Sequence, residues 1–193
     1  MIDYIKGTIV QINPTFLTIE SGGIGYFINI SLNTFSELEA HTETRVLIHE
    51  VIREDSHLLF GFSGDHERDV FRLLISVTGV GANTARMMLS SITPADIESA
   101  ILGSDVDLLK GVKGIGLKTA QRIIVDLKDK VGKHAGSGEI FAFADNTTRD
   151  EALSALVMLG FAKGAVSKVL DKIVREEKNL TVEDMIKRAL KNL

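Results

Sequence analysis

Cysteine is absent from this sequence of 193 residues. Its absence excludes disulfide bonds and thiolate metal ligands, and a chain without disulfides suits a reducing compartment. Long hydrophobic runs are missing as well, because no apolar run approaches the roughly 18 residues of a membrane-spanning helix. The first residues, MIDYIKGTIV, place an aspartate and a lysine where a signal peptide needs an apolar stretch. We therefore expect a soluble protein of the cytoplasm.

The sequence also lacks the common signatures of an enzyme. It contains no Walker A sequence, no histidine pair at metal-ligand spacing and no arrangement typical of a serine or cysteine nucleophile. The histidines are scattered along the chain, at His41, His49, His57, His66 and His134. We expect no catalytic residue, no metal site and no cofactor.

Charge is unevenly distributed along the chain, which carries a net charge of −4. Residues 1–64 have three basic and eight acidic side chains, whereas residues 110–133 have seven basic and two acidic ones. A basic run of this kind occurs on solvated helix faces as well as on nucleic-acid-binding surfaces. Charge alone therefore leaves both interpretations open.

The first sixty residues alternate between apolar and polar in the manner of strands. Five strand segments follow one another: IKGTIVQI, FLTIESG, GYFINIS, RVLIHEVI and HLLFGF. Gly22 and Gly23 suit a tight turn between the second and third strands, and NTFSELEA predicts a short helix capped by Asn33 or Thr34. Five short strands with a helix after the third are typical of an OB-type barrel, although other small barrels would give the same pattern.

From residue 65 the apolar period changes to 3.6, which predicts four or five short helices up to residue 131. Thr93 before Pro94 predicts one helix N-cap, and Ser104 predicts another. Residues 132–147, rich in glycine and small residues, predict a flexible linker. The tail predicts a bundle of three helices. We thus expect an α+β multidomain protein: a barrel over 1–63, a helical domain over 64–131, the linker and a helical domain over 148–193.

An internal repeat lies in the second of these regions. Residues 75–92, ISVTGVGANTARMMLSSI, align without gaps on residues 110–127, KGVKGIGLKTAQRIIVDL. Glycines, a Thr-Ala pair and the apolar positions of the second helix all coincide. Each copy predicts a helix, a Gly-apolar-Gly turn and a second helix.

The second copy, GVKGIGLKTAQRI, has elements of known phosphate-binding loops. A P-loop requires GxxxxGK[ST] after a strand, but here Leu117 separates Gly116 from Lys118 and the preceding segment is helical. A dinucleotide fingerprint requires a third glycine and a strand, and both are missing. What remains is a helical hairpin whose second helix presents free N–H groups and a positive dipole end to an anion. A single copy could be a plain helical hairpin, but two copies with basic residues favour binding of nucleic-acid phosphates.

On these motifs the sequence resembles the RuvA family over essentially its full length. The resemblance rests on the GGIGY turn, the segment VIREDSHLLFGF, the paired GVG and GIG hairpins and the segment ALVMLGF. It implies an OB barrel, two helix-hairpin-helix motifs and a mobile tail that binds the RuvB motor ATPase. It further implies a tetramer, or a pair of tetramers, that holds a four-way Holliday junction open and planar for branch migration in recombination and DNA repair. RuvC resolvase is a further implied partner.

The resemblance also implies roles for individual residues. Two residues of the barrel, Glu54 and Asp55, would form an acidic pin at the junction centre. Asn83 departs from the pattern, because a basic residue is expected there in the first hairpin. The tail residues with an implied role in partner binding are Leu156, Met158, Leu159 and Phe161. The residues expected to contact DNA phosphates are Gly79, Val80, Gly81, Thr84, Gly114, Ile115, Gly116, Lys118, Thr119 and Arg122.

Two other classes of protein share parts of this pattern. A DNA-repair enzyme of the helix-hairpin-helix glycosylase type would need a Gly/Pro-rich loop and a catalytic aspartate after the hairpin, where this chain has KDKVGKHAGSG. An RNA-binding OB protein would not need the twin hairpins. Affinities for a four-way junction, a linear duplex and a structured RNA would separate the three classes.

Overall fold

A computed structural model describes residues 1–135, 144–177 and 180–193. The chain divides into two compact units, Met1–Ser137 and Gly138–Leu193. In the part of the chain that the structure describes, no helix is both long enough and apolar enough to cross a membrane.

The five predicted strands form a closed barrel at the N-terminus. The strands are β1 (Tyr4–Asn13), β2 (Phe16–Ser21), β3 (Ile24–Asn29), β4 (Glu43–Ile52) and β5 (His57–Phe62). They are arranged in the order β1-β2-β3-β5-β4, and β1 closes the barrel by pairing with β4 in antiparallel register. The short helix α1 (Leu32–Glu37) lies between β3 and β4. The predicted OB-type barrel is confirmed.

The barrel interior is filled by the apolar residues that alternate along the strands. Gly61 faces this interior, where a Cβ atom would lie only 2.5 Å from Cγ2 of Ile28 and 2.9 Å from Cγ1 of Val46. The absence of a side chain therefore lets β5 approach its neighbours closely. The interior core consists of Ile5, Ile9, Leu17, Ile19, Ile28, Ile30, Val46 and Ile48.

Ser31 caps helix α1, so the prediction of Asn33 or Thr34 as its cap is wrong. The Ser31 hydroxyl oxygen accepts a hydrogen bond from the Thr34 amide at 3.0 Å. Ser31 also donates to the carboxylate of Glu67, which accepts a second bond from the Thr34 hydroxyl at 2.6 Å. Serine, threonine and asparagine are all good N-caps. The distant carboxylate of Glu67 stabilises the helix start at Ser31.

Five helices follow the barrel, as predicted: α2 (Asp65–Ile75), α3 (Ala82–Ser91), α4 (Pro94–Gly103), α5 (Val106–Lys110) and α6 (Leu117–Ala135). Thr93 caps α4 as expected, and its hydroxyl oxygen accepts from the Asp96 amide at 3.2 Å. The predicted cap at Ser104 is wrong. Ser104 ends α4 in the left-handed conformation, and Asp105 caps α5 by accepting from the Leu108 amide at 3.0 Å.

These helices share a hydrophobic core with one side of the barrel. The Phe71 ring of α2 lies 5.0 Å from the ring of Phe62 and 5.3 Å from that of Phe60, between ring centroids. Leu47 of β4 belongs to the same core, which continues through Leu74 to the helices of both hairpins. The barrel and the helical region therefore form one compact unit.

The tail contains the three predicted helices, α7 (Ala144–Met158), α8 (Lys163–Glu176) and α9 (Val182–Leu190). They pack around a core of their own, formed by Ala152, Leu156, Val166, Leu170, Ile173, Met185 and Ala189. Of the predicted linker, residues 132–135 belong to α6 and residues 144–147 to α7, whereas residues 136–143 lie outside the described residues. The domain boundaries remain predictions.

Candidate nucleic-acid interface

The two copies of the sequence repeat have the same backbone geometry. In the first hairpin, between α2 and α3, the Val80 amide donates to the Val77 carbonyl at 3.0 Å and Gly79 has a φ of 96°. A positive φ of this size is readily adopted by glycine but rarely by other residues. The Ala85 amide then donates to the Gly81 carbonyl at 2.9 Å, as the first bond of α3.

The second hairpin, between α5 and α6, repeats these contacts. The Ile115 amide donates to the Val112 carbonyl at 3.0 Å, Gly114 has a φ of 93°, and the Ala120 amide donates to the Gly116 carbonyl at 2.9 Å. The sequence repeat is thus a repeat of hydrogen-bonded turns. Each turn leads directly into the N-terminus of a helix.

Both helix starts leave backbone N–H groups open to a ligand. Gly81 caps α3 without a side-chain hydrogen bond, and its φ of −88° is ordinary. A Cβ atom built at Gly81 or at Gly116 meets nothing within 4 Å. The first N–H groups of a helix have no partner within it, and they favour an anion. A phosphate can therefore approach the backbone of both hairpins.

The structure divides the ten residues expected to contact DNA into three groups. Val80 and Ile115 are each only 5% exposed and belong to the core, so they can offer a ligand only backbone atoms. The side chains of Thr84 and Thr119 are half-buried. The six exposed residues are Gly79, Gly81, Gly114, Gly116, Lys118 and Arg122.

Free positive charge is concentrated at the second hairpin. Among the described residues, Lys113 and Lys118 take part in no ion pair, whereas Lys110 is paired with Asp107 at 2.5 Å. The first hairpin has Asn83 at the position that matches Lys118. Arg86 on α3, within the first hairpin, donates to the barrel. The two hairpins therefore offer similar backbones but different charge.

Arg122 joins the two hairpins. Its Nη1 atom donates to the carbonyl oxygen of Thr78, in the turn of the first hairpin, at 3.2 Å. The residue that corresponds to Arg122 in the first copy is Met87, and its terminal methyl lies 4.0 Å from the place that a Cβ of residue 114 would occupy. Each helix thus directs one side chain towards the turn of the other hairpin.

Glu54 and Asp55 lie at the tip of the turn between β4 and β5, as predicted. The Arg53 amide donates to the Ser56 carbonyl at 2.8 Å and closes this turn. Both carboxylates are exposed, and within the described residues neither forms an ion pair. The turn therefore exposes two carboxylates beside the exposed Arg53, and neither is held by an ion pair in the part of the chain that the structure describes.

Three segments of the chain match families of known proteins. Residues 1–61 match the family model "RuvA N terminal domain", residues 71–129 match "SAM-like Helix-hairpin-helix tandem" and residues 147–193 match "RuvA, C-terminal domain". Similar full-length proteins come from Christiangramia forsetii (52% identical), Flavobacterium psychrophilum (48%) and Bacteroides thetaiotaomicron (46%), with 100% of both chains covered in each case. All three are named Holliday junction branch migration complex subunit RuvA.

The chain belongs to the RuvA family. The three family matches coincide with the barrel, with the paired hairpins and with the tail helices. The segment that matches the helix-hairpin-helix tandem contains both hairpins, whose turns have the same hydrogen bonds in the structure.

The four predicted partner-binding residues in the tail of this RuvA-family chain differ in how far they are buried. Leu156 is fully buried in the tail core, and Phe161 packs half-buried against it. Met158 is 88% exposed and Leu159 is 63% exposed, at the C-terminal end of α7. Of these four residues, Met158 and Leu159 are the ones that present large apolar surfaces. Leu156 instead holds the tail helices together.

Sequence reasoning missed the contacts that fix the hairpins in place. It assigned Arg122 to DNA and gave no role to Met87 or Arg86. The gapless alignment of the two copies could have identified Met87, because it places Met87 at the position that matches Arg122. No sequence pattern identified the Thr78 carbonyl as the acceptor.

Proposed function

We propose that this protein binds four-way DNA junctions through the backbone of its two hairpins, without reading sequence and without catalysing a reaction. The observation that carries the proposal is the duplicated turn whose helix start is open to an anion at both Gly81 and Gly116. Contacts to phosphates position a protein on DNA but carry no direct sequence information. Such a site suits a four-way junction, because a junction can form in DNA of any sequence.

The acidic turn supplies selectivity for the junction in this proposal. In a four-fold assembly, or in a pair of such assemblies, Glu54 and Asp55 would recur around one axis and repel phosphates placed there. A continuous duplex that crosses the axis would meet this repulsion, whereas an open, planar junction directs its arms outward to the hairpins. The carboxylates would therefore favour junctions without raising overall affinity.

The tail provides the contact to a motor in this proposal. Met158 and Leu159 form an exposed apolar pair on a small unit with its own core, which suits docking to another protein. The names of the relatives describe a subunit of a branch migration complex. We assign the ATP-driven step to RuvB, and we place RuvC on the same junction as a further partner. Work on chromosomal DNA would place the assembly in the cytoplasm.

The variant Gly81→Ala with Gly116→Ala tests the backbone site. Because the new Cβ atoms enter open space, the fold should be retained, whereas a bound phosphate would meet them. Loss of one charge-assisted hydrogen bond lowers affinity by about tenfold or more, and we expect at least this loss for a four-way junction. Gly164→Ala in α8, whose Cβ also meets nothing within 4 Å, is the matched control. Unchanged affinity in a folded double variant would refute the backbone site.

A comparison of ligands tests the choice of substrate. We expect the wild-type protein to bind a four-way junction more tightly than a linear duplex of the same sequence, and both more tightly than a structured RNA. Binding should weaken steeply with salt, because phosphate contacts release counterions. Equal affinity for junction and duplex would contradict junction recognition, and a preference for RNA would instead support an RNA-binding OB protein.

A further inference from the structure

The bond between Arg122 and Thr78 lies at a sensitive point of the first hairpin. Thr78 immediately precedes Gly79, the residue with a φ of 96°. Because the peptide bond is planar, a donor that fixes the Thr78 carbonyl also fixes the direction of the Gly79 N–H group on its opposite side. Arg122 therefore restrains the amide plane that leads into the first phosphate-binding turn.

The surroundings of Arg122 leave this carbonyl as its partner. Arg122 is exposed, and among the described residues it forms no ion pair with a carboxylate. The bond spans 44 residues of sequence and joins the helix of one hairpin to the turn of the other. The Met87 side chain, at the matching position, has no N–H group to donate, so the first hairpin depends on a side-chain hydrogen bond for which the second has no counterpart.

We propose that Arg122 is a positioning residue, which holds the first turn in its binding conformation so that the two hairpins act as one DNA-binding surface. The proposal rests on the proposed function, since it assigns a role within that surface. It separates Arg122 from Lys118, which lies on the same helix and acts on phosphates by its charge. The first hairpin has Asn83 where the second has Lys118, and it then depends on backbone geometry that the second hairpin supplies.

Hydrogen exchange in the full-length protein without DNA tests the positioning role. The Val80 amide closes the first turn and the Ile115 amide closes the second, with equal bond lengths of 3.0 Å, so one molecule contains both reporter and control. In Arg122→Gln we expect the Val80 amide to exchange about threefold to tenfold faster, as for loss of one hydrogen bond, with Ile115 unchanged. In the matched control Lys118→Gln, neither amide should change.

Junction binding by the same two variants tests whether a change in Val80 exchange affects DNA binding. We expect both variants to bind a four-way junction less tightly than the wild type. In Lys118→Gln the loss should come with a salt slope reduced by about one, as for a lost phosphate contact. Unchanged Val80 exchange in Arg122→Gln would overturn the proposal and leave Arg122 as a phosphate contact. Faster Val80 exchange with unchanged junction affinity would also overturn it.

Failure of the proposed function would give a different result. If the wild-type protein shows no preference for a junction over a duplex, the proposed function fails whatever the exchange rates are. If Val80 and Ile115 both exchange faster in Arg122→Gln, the residue contributes general stability, and the positioning role is refuted.

Discussion

Arg86 Nη1 donates to the carbonyl oxygen of Thr15 at 2.8 Å, which ties helix α3 of the first hairpin to the barrel. The same atom lies 3.4 Å from Oδ1 of Asn29 on β3. Burial lowers the pKa of Arg86 through desolvation of its guanidinium. Two further bonds support the attachment, from Asn33 to the Leu89 carbonyl at 2.6 Å and from the Leu32 amide to Ser90 Oγ at 3.1 Å. The first hairpin is thereby fixed relative to the barrel.

Replacement of Arg86 by glutamine should destabilise this attachment. Hydrogen bonds to charged groups contribute about 1.5 to 3 kcal/mol, and we expect the free energy of unfolding to fall by about 1 to 2 kcal/mol, since Arg86 is only half-buried. Urea unfolding followed by circular dichroism measures the change. Arg53→Gln, at an exposed arginine of the β4–β5 turn, is the control and should change stability little. Equal effects of the two substitutions would contradict a structural role for Arg86.

Replacement of Asn83 by lysine should strengthen DNA binding by the first hairpin. Asn83 is exposed at the position that Lys118 occupies in the second copy. An added phosphate contact should raise junction affinity and increase the salt slope of binding by about one. Titrations at two or more salt concentrations measure both quantities, with Asn83→Gln as the uncharged control. An unchanged slope would show that no phosphate comes within reach of this side chain.

The acidic turn should determine selectivity rather than affinity. In Glu54→Gln with Asp55→Asn we expect binding to linear duplex to rise more than binding to a junction, because repulsion at the assembly centre is removed. The wild-type preference contributed by these residues should be roughly tenfold at low salt and should shrink as salt screens the charges. Titration of both DNAs at two salt concentrations measures the ratio. An unchanged ratio would leave these carboxylates as an ordinary polar turn.

Removal of residues 148–193 should separate binding from motor recruitment. The unit Met1–Ser137 has its own cores, so the shortened protein should fold and bind a junction with nearly wild-type affinity. It should no longer stimulate RuvB in a branch migration assay. The finer variant Met158→Ser with Leu159→Ser should reproduce this loss in the full-length chain. Branch migration at the wild-type rate by the shortened protein would refute our assignment of the tail.

Stability should respond to pH through Glu67. Burial raises the pKa of Glu67, against the opposing effect of the hydrogen bonds from Ser31 and Thr34. A carboxyl whose pKa is higher in the folded state contributes its full stability below the unfolded value of 4.5, and this contribution is lost as pH rises through the folded pKa.

The variant Glu67→Gln should therefore remove part of the pH dependence. We expect the wild-type protein to lose stability relative to the variant as the pH rises above 4.5, by at most about 1.4 kcal/mol per pH unit. Urea unfolding at several pH values measures the difference, and Glu39→Gln, at an exposed position, is the control. A difference that stays constant with pH would contradict a raised pKa.

Much of this architecture could be predicted from local patterns. The alternation of apolar residues gave all five strands, and the change to a period of 3.6 gave the helices of both units. The repeat predicted two equal turns because identical glycine spacing imposes the same backbone freedom at Gly79 and Gly114. Exposed sites such as Glu54 and Asp55 were placed correctly in their turn, since a turn is a local structure.

The tertiary structure decided what depends on contacts between distant residues. Glu67 stabilises the start of α1 at Ser31, although neighbouring residues are equally good caps. Phe71 joins the helices to the barrel in one core, and burial limits Val80 and Ile115 to backbone contacts. The bond from Arg122 to Thr78 depends on how two hairpins pack.

The sequence by itself determined which backbone turns form and where charge lies. Only the packed chain determined which polar groups are held by a partner and which stay open to a ligand, because that depends on groups far apart in sequence.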